Sequence, residues 1–153
     1  MRRGFFNNMA IVFDVASNGR ASLASTLTVA HTCTGSDLVL VVGVGTTDTT
    51  DADRPVTGVT YAGVALTKAN SVQNDTDDFG AEIWYLVNPA TGANNIIITT
   101  TGSISLIIGG GVSLSGVDQT NPLDANNGAI GSDASPTVNV TTVADNSWVV
   151  DVM

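Results

Sequence analysis

Short runs of Val, Ile, Leu and Thr, each closed by a cluster of Gly, Asn or Asp, recur along the whole chain, and helical periodicity is almost absent. A pattern of this kind folds as strands joined by turns. Parallel α/β architecture needs amphipathic helices between strands, and no such stretch occurs. The runs predict strands over 9–15, 25–31, 37–45, 56–63, 64–69, 81–88, 95–101, 104–116, 137–143 and 147–152. The turn signals fall roughly every ten residues, a spacing that predicts an all-β antiparallel two-sheet sandwich.

Alternation assigns faces. In STLTVAH, Leu27, Val29 and His31 share one face, with Thr26, Thr28 and Ala30 on the other. In TVNVTTV, Val138 and Val140 oppose Thr137, Asn139 and Thr141. DLVLVVGVG and AEIWYLV are apolar on both faces, the pattern of strands covered from both sides. TYAGVALT reads as a hairpin around Ala62–Gly63, because glycine supplies the positive φ of a tight turn. The glycines at 109–111 read as a bulge or a bend between sheets. No helix start follows them, so they do not make a phosphate loop. The longest stretch without a strand pattern, 117–136, reads as a functional loop or a packed Ω-loop, and by position is the best candidate for a binding surface.

The chain has 153 residues, which fits one domain, with 1–8 as an N-terminal tail and 9–153 as the β-sandwich. It carries 14 acidic and five basic side chains, for a formal net charge of −9. Only Arg2 and Arg3 adjoin among the cations, so neither a phosphate backbone nor an anionic membrane is an expected partner. No window approaches 18 uninterrupted apolar residues. Charged residues make up 12% of the chain, against about a quarter in a typical soluble domain. Solubilisation by hydroxyls and amides suits an extracellular, cell-surface or virion location. Cys33 is the sole cysteine and is expected to be a buried apolar residue. No signal-peptide apolar run follows Arg2 and Arg3, so for an exported protein the signal is expected outside this chain or export by another route.

The stretch TTDTTDADRP holds Asp48, Asp51 and Asp53, and NDTDD holds Asp75, Asp77 and Asp78. A calcium ion takes six to eight oxygen ligands, and these six carboxylates form a candidate weak Ca2+ site if the two loops meet. Arg54 beside Asp53 competes for them, the spacing departs from an EF-hand, and a solvated loop is the competing reading. No other cofactor is expected. Glu82, the only glutamate, lies beside Ile83 and Trp84 and is the carboxylate expected to be partly buried. It is the one candidate for a glycosidase acid, without a partner that spacing can name. His31 and Cys33 are too few for zinc, and Ser113 and Ser115 occupy no nucleophile elbow. His31 is expected to be satisfied at a strand end. Trp84, Tyr85, Tyr61 and Trp148 all fall within strand patterns and read chiefly as core.

IVFDVASNG, VAHTCTGSDLVLVVGV, VTGVTYAGVALTKA, AEIWYLVNPATG and SLSGVDQTNPLD, in that order, resemble a β-sandwich module of large bacterial and phage surface or tail proteins. The resemblance runs from about Ile11 to Met153. It implies a jelly-roll-like sandwich in structural or adhesive settings, with no catalytic signature and no established cofactor. The acidic loop DTTDAD departs from it. It also implies a chain continuing past the VVDV strand, and because SWVVDVM ends inside an apolar strand pattern with no turn or polar tail, the sandwich is expected to be truncated at the C-terminus or completed by a neighbouring subunit.

The expected function is therefore a non-catalytic module for structure, adhesion or glycan binding, its contact surface being the loops 46–55, 70–80 and 117–136. The alternatives are a fragment of a carbohydrate-active enzyme with Glu82 as acid, or a capsid or fibre subunit. That subunit would self-associate by strand addition through SWVVDVM.

Overall fold

A computed structural model describes residues 10–48, 56–74, 79–131 and 137–153. Seven strands form one antiparallel sheet: β1 (Val12–Cys33), β2 (Val39–Thr47), β3 (Val56–Tyr61), β4 (Val64–Ala65), β5 (Thr67–Asn74), β6 (Phe79–Val87) and β7 (Gly92–Ser115). The order is β4-β3-β7-β2-β6-β5, and β1 pairs with β7. No described residue is helical.

The two long strands set the shape. β1 and β7 run side by side from Val12↔Ser115 to Cys33↔Gly92. On the other side of β7, its first half pairs with β3 and its second half with β2. The β1–β7 ladder breaks between Ala24↔Ile104 and Thr26↔Thr99, leaving Thr100–Ser103 opposite Ser25. Leu23 and Gly102 have φ of 50° and 113° at this corner, and Thr100 Oγ1 donates to Gly102 O at 2.8 Å. Here both strands turn, and the sheet folds over on itself until it is nearly closed into a barrel. Gly19 and Val29, on one strand, thereby become neighbours.

The core fills the space between the folded halves. Leu27, Val29 and Cys33 of β1, Leu40, Val42 and Val44 of β2, and Ile96, Ile98 and Ile107 of β7 are all buried. The face assigned to Leu27, Val29 and His31 is indeed the inward one, and Thr26, Thr28 and Ala30 are exposed. β2 is covered on both faces, as its sequence requires. Its outward Val39 packs with Leu114 and Val117 in a second small cluster. The hairpin lies at Ala62–Gly63, with φ of 50° and 80°.

Three expectations are corrected. The runs at 9–15 and 25–31 belong to one 22-residue strand, and those at 95–101 and 104–116 to one of 24 residues. The Asn18-Gly19-Arg20 stretch therefore continues a ladder instead of turning. Secondly, the glycines at 109–111 are neither bulge nor bend, because their register against β1 and β2 is unbroken. They serve close approach: a Cβ on Gly109 would sit 2.3 Å from Ile98 Cδ1, and one on Gly111 2.4 Å from Ile96 Cδ1. Thirdly, 137–143 and 147–152 form no strand. Alternation marks what can pair, but a ladder also needs an edge. This segment instead crosses the outer face of the sheet, where Val152 lies over Gly43, and leaves Val138, Val143 and Val149 exposed.

Candidate functional site

The covering segment and the sheet beneath it enclose a cleft of about 180 Å³. Its floor is the outer face of β2, β5 and β6, with Val39, Val41, Ala69, Ile83 and Tyr85. Its roof comes from Leu123 and Asn126, in the stretch that follows β7, and from Val140, Trp148 and Val150 of the covering segment 137–153. Side-chain to backbone bonds hold the roof in shape. Asp124 Oδ2 accepts from the amides of Val143 at 2.8 Å and Ala144 at 3.3 Å, and from Ser147 Oγ at 3.3 Å. Asn127 Nδ2 donates to Asn139 O at 2.9 Å. Asp118 accepts from the amides of Thr120 and Asn121, fixing the turn where the segment leaves the sheet.

The structure sorts the two tryptophans and two tyrosines. Tyr61 and Trp84 are core, at 0% and 8% exposure. Tyr61 packs edge-on to His31 and donates from its hydroxyl to Gly92 O at 3.1 Å. Tyr85 and Trp148 border the cleft, and Trp148 is 49% exposed. Alternation separates Tyr85 from Trp84, but only the path of the covering segment brings Trp148 to it.

A second polar group lies inside the fold. His31, 2% exposed, is held between Ser17 Oγ at its Nδ1 (2.8 Å) and Ser113 Oγ at its Nε2 (3.2 Å). Ser113 donates to Asp14 Oδ2 at 2.7 Å. Asp14 also accepts from the Thr34 amide at 2.8 Å and from Thr34 Oγ1. Burial pushes the Asp14 carboxyl up, but the Thr34 and Ser113 hydrogen bonds and the nearby imidazole outweigh it, so its pKa is lowered. Burial lowers that of His31, and Asp14 offsets this in part. Ser, His and Asp are all present, but the carboxylate reaches the imidazole only through Ser113. Ser113 itself is fully buried. The order is that of a structural relay. Asp14 and Ser17 escaped sequence reading because they meet His31 only through the fold-back of β1.

Glu82 is buried as expected, at 3% exposure. Its Oε2 accepts from Trp84 Nε1 at 2.8 Å and pairs with Lys68 Nζ at 3.1 Å; the ammonium also lies 4.9 Å from the Trp84 ring centre. The carboxylate is thus spent on an interior ion pair. Cys33 is fully buried, and burial pushes its thiol up. Thiol-directed alkylation of the native protein is expected to be negligible until denaturant is added. Rapid labelling without denaturant would contradict this burial.

Of the six candidate calcium ligands, Asp48 lies at the end of β2, 9% exposed, and accepts from Ser105 Oγ at 3.2 Å. Asp51, Asp53, Asp75, Asp77 and Asp78 lie outside the described residues. Register places the end of β2, the end of β5 and the start of β6 at one end of the sheet, since Thr47 and Asn74 both pair with Phe79. Among the described residues no group of three or more His, Cys, Asp or Glu is placed to hold a metal ion. Comparison with protein-family models, with curated proteins and with solved structures finds no match.

Proposed function

We propose that this chain is a non-catalytic recognition module, a jelly-roll-like β-sandwich of an extracellular or virion-associated protein, and that it binds glycans through the cleft under the covering segment. One observation carries this reading: a half-exposed Trp148 and a partly buried Tyr85 border the same cleft, whose lining also includes Asn70 and Asn126. An aromatic face stacks on the C–H face of a pyranose, while amides bond its hydroxyls. The volume is below the roughly 300–1,000 Å³ of drug-sized ligand sites, so it suits a single ring, with the remainder of the glycan outside. The engagement of Glu82 by Lys68 and Trp84 also favours binding over hydrolysis.

Calorimetric titration with a panel of neutral oligosaccharides tests this. Trp148→Ala is expected to weaken binding about tenfold or more, the loss of a central aromatic contact. Val143→Ala, at a site 85% exposed, should leave affinity unchanged. Equal affinity in wild type and Trp148→Ala would count against the cleft.

A second reading rests on the exposed Val138, Val143, Val149 and Met153 of the covering segment. An apolar surface of this kind suits self-association in a capsid or fibre. Light scattering across a hundredfold concentration range would show it as rising mass, and a constant monomer mass would remove it.

A further inference from the structure

The interior relay joins the beginning of β1 to its own end. Asp14 and Ser17 lie on the first half, His31 on the second, and Thr34 just beyond it. β1 is bonded to β7 along one edge, and no described strand pairs with the other. These side-chain bonds join the two halves of β1 across the fold-back, beside the packing of Gly19 against Val29 and the ladder that each half makes with β7.

The proton positions follow from the one group that can only accept. Ionised Asp14 takes the single hydroxyl proton of Ser113. Ser113 Oγ is then left to accept from His31 Nε2–H, which leaves Nδ1 bare to accept from Ser17 Oγ–H. Every member is satisfied only while the imidazole is neutral. A second ring proton on Nδ1 reverses the Ser17 bond, turns the Ser17 hydroxyl proton away from the ring and places a charge at a site 2% exposed.

We propose that this relay is a pH-sensitive clasp: protonation of His31 under mildly acidic conditions releases the first half of β1 from the fold-back while the rest of the sheet stays folded. The groups around the imidazole are few. Asp14 is the charged one, behind Ser113. Tyr61 of β3 and Cys33 at the end of β1 are neutral in this range, both being raised by burial. Gly111 of β7 and Leu40 of β2 carry no charge. Burial lowers the His31 pKa from its ordinary 6.5. The clasp is hence at full strength above pH 6.5 and weakens as pH falls from there towards the lowered value. Asp14 acts in a separate window, because its own contribution fades only as pH falls below its ordinary 3.8.

His31 is the only histidine, so its ring signals in a nuclear magnetic resonance titration of the whole chain are unambiguous. The midpoint is expected below 6.5. Amide exchange over 12–19, corrected for the intrinsic rate, should rise between pH 7.5 and 5.5 by up to about tenfold, the limit set by one ordinary imidazole in the released strand. Exchange over 39–44 of β2 should not follow. His31→Gln should abolish the pH dependence at 12–19; if that variant does not fold, the wild-type midpoint and exchange profile decide. A midpoint at or above 6.5, or exchange at 12–19 that changes less than about twofold, overturns the proposal.

Discussion

Gly109→Ala is expected to destabilise the protein by about 2–3 kcal/mol, and Ile98→Val in the same chain to restore most of the loss. The added methyl would lie 2.3 Å from Ile98 Cδ1 and 3.2 Å from Leu27 Cδ2, in a core where Ile98 is fully buried. Overpacking a dense interior typically costs about 1–3 kcal/mol. Ile98→Val deletes the clashing atom itself and alone costs about 0.5–1.5 kcal/mol. Chemical denaturation of the four members of the cycle should therefore show a favourable coupling of at least about 1 kcal/mol. Strict additivity would mean that the folded halves of the sheet do not meet at Gly109, and the fold-over would lose its main support. The glycine run is an adaptation to close approach, so an alanine there should matter more than one at the exposed turn glycine Gly63, apart from the latter's positive φ.

Lys68→Met is expected to cost about 2–3 kcal/mol at neutral pH. The Glu82 carboxylate is 3% exposed, and Lys68 is its sole ion-pair partner among the described residues. Removing one member of a buried pair typically costs about 3–5 kcal/mol. The lysine side chain is 35% exposed, which lets water reach the site and reduces that figure. Lys68→Met with Glu82→Gln should recover most of the loss, because glutamine keeps an acceptor for Trp84 Nε1–H without a charge. Thermal melts of the single and double variants check this. Lys68→Met as stable as wild type would show that the pair contributes nothing.

Much of the fold was legible because it depends on local pattern. The inward set of Leu27, Val29 and His31, the two-sided apolarity of β2 and the Ala62–Gly63 hairpin each follow from alternation or turn chemistry. What was not legible depends on partners distant along the chain. Asn18-Gly19-Arg20 looks like a turn, yet 19 and 109 are paired across the sheet, and ladder bonds override weak local propensity. The segment 137–152 alternates like a strand, yet it covers a face instead of pairing with an edge. The candidate cleft inherits this difficulty. Length alone singles out the stretch after β7, and strand parity singles out Tyr85, while Trp148 reaches the cleft only through the path of the last residues. Ser113 occupies no nucleophile elbow in the sequence, and its place behind His31 becomes visible only when β1 folds back.

The glycan-binding cleft is tested most directly by following the two indole N–H signals during titration with single oligosaccharides. Trp148 borders the cleft, and Trp84, bonded to Glu82 in the interior, is a built-in reference. Saturable movement of the Trp148 signal, with Trp84 unmoved, is the predicted result. A Trp148 signal that stays fixed through a broad saccharide panel, or moves only together with Trp84, would contradict glycan recognition at this cleft.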